Sequence, residues 1–170
     1  IAMTTSDSIG SWTGKFTINT HISGTTSVIA TGENSGQIAD DPFVIIPEIT
    51  LITPVIGPAW TIVTVKGNGY GQTEPVRISF GTTITITLTS SNYRGEFETT
   101  FSVDTQVYGY TTISARGMDT QQISSKEGIL LVTPRIVLVT PNRGSVGCII
   151  TVVGNGYGEN EHININFGLY

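Results

Sequence analysis

The chain repeats itself, and the register of that repeat limits what it can fold into. The segment ITLITPVIGPAWTIVTVKGNGYGQTEPVRISFG from Ile49 lies without gaps over IVLVTPNRGSVGCIITVVGNGYGENEHININFG from Ile136, with 17 of 33 positions identical at an offset of 87. A second match sets GSWTGKFTINT from Gly10 over GEFETTFSVDT from Gly95 at an offset of 85. It continues through Gly24, Ala30 and Gly32, which fall on Gly109, Ala115 and Gly117. Self-similarity at a fixed period marks a repeated structural unit. The order of the matches divides the chain into residues 1–47, the second half of a repeat; 48–134, one complete repeat; and 135–170, the first half of a repeat. The two halves together come close to one period. Joining Tyr170 to Ile1 nearly reproduces the intact copy, two residues short.

The complete repeat reads as all β. ITITLT at Ile84–Thr89 alternates apolar residues with threonine. EFETTFSV at Glu96–Val103 puts Phe97, Phe101 and Val103 on one face and Glu96, Glu98 and Thr100 on the other. Period-two alternation means a strand with one dry and one wet side, and β-branched residues suit a pleated surface. Further strands are expected near Ile49–Thr53, Thr61–Lys66, Val76–Phe80, Thr111–Ala115 and Gly128–Thr133, and no helix is expected. Seven short strands in one period, separated by turns, give the pattern of an immunoglobulin-like sandwich. The fold class expected is therefore all-β: tandem immunoglobulin-like sandwiches, one complete and two complementary half-domains.

The string GNGYG occurs at Gly67–Gly71 and again at Gly154–Gly158. A phosphate-binding loop needs a following helix to supply amide donors and a dipole. Here an apolar strand precedes the string and another strand follows it. The expectation is a structural turn in which Gly67, Asn68, Gly69 and Gly71, and likewise Gly154, Asn155, Gly156 and Gly158, take up positive φ. Tyr70 and Tyr157 are expected to pack over the end of the sandwich, as contacts to a neighbouring domain or a ligand.

The repeat resembles IPT/TIG-type immunoglobulin-like domains of archaeal and bacterial surface or filament proteins. The resemblance rests on Pro54, Gly57, Val63, Val65, Gly67, Gly69, Tyr70, Gly71, Ile78, Phe80 and Gly81, and on the matching series from Pro141 to Gly168. SSNYRGEFETTFSV…YGYTTISARG is similar to the strand pair that ends such repeats; Trp60 departs from the family's usual small or polar residue. The resemblance implies an extracellular spacer, an adhesive module or a filament part.

Little in the chain points to catalysis. His21 and His162 lie in different half-repeats, where the other copy has Gln106 and Pro75, so no nucleophile–base–orienter set is expected. The single cysteine, Cys148, aligns with Thr61 and shares parity with Ile150 and Val152, so a small buried side chain is expected. Glu33, Asp40, Asp41 and Glu48 gather near the junction at Pro47 and are weak candidates for calcium, which commonly stiffens such junctions. No other cofactor is expected. Lys15, Lys66 and Lys126 are weak candidates for isopeptide crosslinks, and the sequence has no Asn-X-Ser/Thr sequon.

Charge narrows the partners. The net charge is −5, with only 8 Lys and Arg, which disfavours nucleic acid. No apolar run is long enough to span a membrane. Sparse lysine beside abundant Thr, Gly and Asn suggests an extracellular or cell-surface protein. No signal peptide is visible and the chain starts at Ile1, as a processed product or an excised piece would.

Half a sandwich leaves an apolar face and unpaired edges open. An odd strand count sends the two halves out from opposite poles of the central unit. They are therefore expected to pair with complementary halves of neighbouring copies, head-to-tail, or to continue into a longer chain. The partner expected is the protein itself, in a homopolymer. The competing class is an adhesive or carbohydrate-binding module, with Trp12, Trp60, Tyr93, Tyr108 and Tyr110 as platform candidates. Trp12 aligns with Phe97 and is expected to face a core. Trp60, replaced by Gly147 in the other copy, is expected to contact the next domain or a ligand.

Overall fold

The computed structural model describes residues 2–168; the join of Tyr170 to Ile1 lies outside them. The described chain is all β, with twelve strands and no helix among those residues. In order they are β1 (Gly24–Thr31), β2 (Ile38–Ile45), β3 (Glu48–Thr53), β4 (Ile56–Gly57), β5 (Ile62–Asn68), β6 (Pro75–Phe80), β7 (Thr83–Ser90), β8 (Phe97–Ser102), β9 (Gly109–Gly117), β10 (Gly128–Val132), β11 (Arg135–Thr140) and β12 (Thr151–Asn155).

Strands β3 to β10 form two sheets, in the orders β3-β5-β8 and β4-β10-β9-β6-β7. All seven expected strands form, each within two residues of its expected bounds. The unforeseen one is β4, two residues that pair in parallel with β10, Ile56 opposite Leu131 and Gly57 opposite Val132. All other ladders are antiparallel.

Alternation builds the core. Strand β5 turns Val63 and Val65 inward and Thr64 and Lys66 outward; β8 turns Phe97 and Phe101 inward and Glu98 outward. With Val76, Ile78 and Phe80 of β6, Ile113 and Ala115 of β9, and Leu130 and Val132 of β10, they close one apolar cluster between the sheets. Burying each large aliphatic or aromatic side chain stabilises the fold by about 1.5–3 kcal/mol. Every member of this cluster lies between Ile49 and Val132.

The register also fixes two poles. Glu48 and Asn68 pair at one end of the sandwich, where Gly117 meets Val76; Thr53, Ile62, Gly109 and Val132 mark the other.

The glycine string is organised differently from expectation. Gly67 and Asn68 belong to β5, and Gly154 and Asn155 to β12, so neither pair is in the turn. Of the eight residues only Gly69 and Gly156 have positive φ, 74° in both. Gly67 is demanded by close approach instead: a Cβ there would run into the Phe97 ring and the Glu48 carbonyl. Tyr70 lies inside the core rather than over its end, edge-on to Phe97 with ring centroids 5.1 Å apart.

Candidate assembly interface

Outside the central sandwich the chain forms two isolated hairpins, and each copies part of the sandwich. In β11–β12, Arg135 pairs with Asn155 and Ile136 with Gly154, the register slips by one, and Leu138 pairs with Val153. In β3–β5, Glu48 pairs with Asn68, Ile49 with Gly67, then after the same slip Leu51 with Lys66. In β1–β2, Gly24 faces Ile45 and Val28 faces Asp41. In β9–β10, Gly109 faces Val132 and Ile113 faces Gly128. The segment from Gly24 to Ile45 is two residues shorter than that from Gly109 to Val132, so the offset passes from 85 to 87 within it.

The copying extends to turns. The Asp7 side chain accepts from the amides of Ile9 (3.0 Å) and Ser11 (2.9 Å), and the Asn92 side chain from those of Arg94 (2.8 Å) and Glu96 (3.1 Å). This Asx turn was missed in the sequence because Asp and Asn do not score as identical, although both supply the same acceptor.

Of the flank stretches that form no strand, two align with strands that supply much of the core. Residues 12–17, aligned with β8, and 162–167, aligned with β6, carry no ladder. Their absence has a physical cause. Strand β8 pairs with β5, and β6 pairs with β7 and β9, so every partner of these two strands lies in the other half of a repeat. Hairpins whose two strands fall in the same half do form.

The apolar residues of the flanks are consequently bare. Trp12 is 56% exposed where Phe97 is 5%; Ile165 is 66% and Phe167 94% exposed where Ile78 and Phe80 are both 0%. Trp12, expected to face a core, has none within its own half. Both flanks thus carry exposed apolar side chains, and the free edges of β1 and β12 add unpaired backbone groups.

The junctions on either side of the central sandwich are equivalent. The Ser23 amide donates to the Tyr70 carbonyl at 2.9 Å, and the Tyr108 amide to the Tyr157 carbonyl at 3.0 Å. Ser23 corresponds to Tyr108, and Tyr70 to Tyr157, in the alignment. Gly69 packs against Ile46 and Pro47, as Gly156 does against Thr133 and Pro134. The first junction sits at the pole of Glu48 and the second at the pole of Gly109. So Tyr70 and Tyr157 contribute at the junctions through backbone carbonyls, and the Tyr70 ring is not available to a ligand.

Trp60 lies at the second junction. Its φ is 70°, and Gly147, its counterpart, has φ 88°. The indole is half-exposed, with the Arg135 guanidinium 5.1 Å from the ring centroid and Arg135 Nη1 donating to the Ala59 carbonyl at 3.4 Å. The ring therefore touches the first residue of β11. Tyr93, Tyr108 and Tyr110 are also exposed, with Arg94 over Tyr93, and with Trp12 they do not share one described pocket.

The calcium candidates are not brought together. Asp40 and Asp41 are consecutive in β2 and so point to opposite faces, and no group of three or more His, Cys, Asp or Glu forms among the described residues. Lys66 forms an exposed ion pair with Glu98 at 2.9 Å rather than approaching an Asn or Asp. Cys148 is exposed, not buried; its counterpart Thr61 is itself only half-buried, because both precede the inward-facing run. His21 lies against the Ile22 carbonyl, far in sequence and setting from the exposed His162.

No protein-family model matches the chain, and no curated protein matches it either.

Sequence reading missed one further group. Glu74 is buried with its carboxylate, and Ser91 is buried beside it. The carboxylate accepts from the amides of Gly71, Asp119 (3.2 Å) and Thr120 (3.0 Å) and from the Thr120 hydroxyl (3.1 Å). The Ser91 hydroxyl donates to the Gly71 carbonyl at 2.6 Å and accepts from the Glu74 amide at 3.0 Å. The signal was present: in QTEP against ENEH, Glu is the one identity.

Proposed function

We propose that this chain is a structural segment of an extracellular filament or cell-surface array built of IPT/TIG-like immunoglobulin sandwiches. Residues 48–134 are the complete unit. Residues 1–47 and 135–170 are complementary halves, completed head-to-tail by neighbouring copies through strand donation, or by continuation into a longer chain. One observation carries this reading: the flanking segments leave bare the side chains whose counterparts are the core of the central sandwich, and lack only the strands whose partners belong to the opposite half. The equivalent junctions at opposite poles support a heterologous contact that propagates without closing. The extracellular assignment rests on composition.

Crosslinking tests the seam. In the central sandwich Ile62 pairs with Ser102, and the Val103 amide donates to the Thr61 carbonyl at 2.9 Å. The counterparts of Thr61 and Val103 are Cys148 and Ile18. Directly opposed residues in antiparallel strands have Cα atoms about 4.5–5.5 Å apart, within disulfide range. Mild oxidation of Ile18→Cys is expected to give a ladder of disulfide-linked multimers on a non-reducing gel, abolished by adding Cys148→Ser. A disulfide-linked monomer alone would mean that the halves close on each other within one chain. The denatured mass of natural material separates the two forms of continuity: about 18 kDa for donated strands, far more for a covalent array.

A further inference from the structure

The Glu74 network is built from both halves of a repeat. Glu74 and Gly71 come from the first half; Ser91, Gly117, Asp119 and Thr120 come from the second. A Cβ at Gly117 would collide with the Glu74 carboxylate, so the carboxylate is seated directly on that glycine. Each part has a counterpart in the flanks. Glu161 and Gly158 lie in the C-terminal flank; Ser6, Gly32, Asn34 and Ser35 lie in the N-terminal one. The C-terminal part is already arranged, since the Gly158 amide donates to Glu161 Oε1 at 2.6 Å as the Gly71 amide does to Glu74. Yet Glu161, Ser6, Gly32, Asn34 and Ser35 are all exposed.

We infer that Glu161 is an inter-subunit clamp: in a second copy of this chain, its carboxylate seats on Gly32 and accepts from the Asn34 and Ser35 amides and the Ser35 hydroxyl, with Ser6 bridging to Gly158. The inference rests on the head-to-tail reading above and specifies its latch. The chemistry selects a carboxylate. The site presents several backbone N–H groups and a hydroxyl to two oxygens, and charge-assisted bonds of this kind are about twice as strong as neutral ones. An amide in its place would turn an NH2 group toward backbone donors. A buried polar network is costly when half satisfied and specific when complete, so this latch also penalises a slipped register. Ser35 for Thr120 keeps the hydroxyl, and Asn34 for Asp119 keeps the amide while removing a charge near the carboxylate.

The test is self-association of the full 170-residue chain, followed by analytical ultracentrifugation. Glu161→Gln is expected to weaken association at least about tenfold, and Ser35→Ala by a few-fold. Their effects are expected to be non-additive in the double variant, as contacting residues require. Glu159→Gln is the control: its counterpart is Gln72 and its side chain is not in the network, so association should be unchanged. Each variant is checked for an unaltered unfolding transition of the central sandwich, which contains none of these residues. If Ile18→Cys still gives the multimer ladder but Glu161→Gln associates as tightly as the parent, the clamp is wrong and the head-to-tail reading stands. If neither ladder nor association is seen, both fall.

Discussion

The Glu74 carboxylate accepts a hydrogen bond from the Thr120 amide at 3.0 Å, across 46 residues of sequence. This contact ties the loop before β6 to the loop after β9, at the pole where the first flank joins. Each loop has further anchors of its own, Tyr70 in the core for the first and the Ser125 amide on the Pro47 carbonyl for the second, but the carboxylate joins one loop to the other. The carboxylate thus acts as a cross-link between the two halves of the repeat.

Replacing Glu74 with Gln should therefore destabilise the central sandwich by about 3 kcal/mol, because backbone donors lose a charged acceptor and one meets an amide NH2. Urea unfolding followed by tryptophan-independent circular dichroism measures this. Glu161→Gln, at the equivalent but exposed position, should leave the unfolding of an isolated chain unchanged. Equal losses in the two variants would mean that Glu161 already has its partners within its own chain.

Burial raises the Tyr70 pKa well above the ordinary phenol value of 10.0; the Glu74 carboxylate adds to this, and the Ser124 hydroxyl opposes it. In the folded chain the phenol stays protonated at a pH where the unfolded chain has ionised. The unfolded state then binds fewer protons, so stability falls as pH rises above 10, by up to about 1.4 kcal/mol per pH unit. Below pH 10 the contribution is complete and constant. Comparing the parent with Tyr70→Phe between pH 9 and 11.5 isolates it: the parent should lose stability along this arm more steeply than the variant.

Trp60 holds a left-handed backbone conformation that its counterpart assigns to glycine. Such a conformation costs a bulky residue about 1–3 kcal/mol. The exposed stack with Arg135 returns about 0.5–1 kcal/mol. Trp60→Gly should accordingly raise the stability of the central sandwich by about 1 kcal/mol, while loosening the start of β11. Thermal unfolding reads the first effect and amide exchange at Arg135–Val137 the second. A loss of stability would mean that the indole contributes more packing than its exposure indicates.

Much of this was legible in the sequence because it depends on local alternation. Val63 and Val65, or Phe97 and Phe101, declare their strands and their inward faces without help. The Ile49 and Ile136 segments declare the repeat. What escaped depends on contacts between distant segments. Two residues, Ile56 and Gly57, become a strand only because Leu131 and Val132 offer an edge. The string GNGYG reads as a turn throughout, which puts Tyr70 at the end of the sandwich, whereas the turn begins only at Gly69. Glu74 lies in a loop with no alternating pattern around it; its burial follows from Gly117 and Thr120, which no local pattern connects to it. The repeat was the one guide to such pairs, since a glutamate kept in both copies amid changing neighbours signals a shared contact.

Hydrogen exchange gives the broadest check, because it reports each segment separately. In a dilute, unassociated chain the amides of β5, β8, β9 and β10 should be the slowest to exchange, since they enclose the apolar cluster. Those of β1, β2, β11 and β12 should exchange faster, each of these strands having one unpaired edge. Residues 12–17 and 162–167 should exchange fastest of the apolar stretches, having no ladder at all. On association the order should change in a defined way. Residues 12–17 should gain protection together with β12, and residues 163–167 together with β1, because these are the pairs that β8 forms with β5 and β6 with β9. The protected amides should alternate along each new edge as an antiparallel ladder requires. Protection confined to the junction at Ser23 and Tyr108, with residues 12–17 and 163–167 unchanged, would mean that copies meet without exchanging strands.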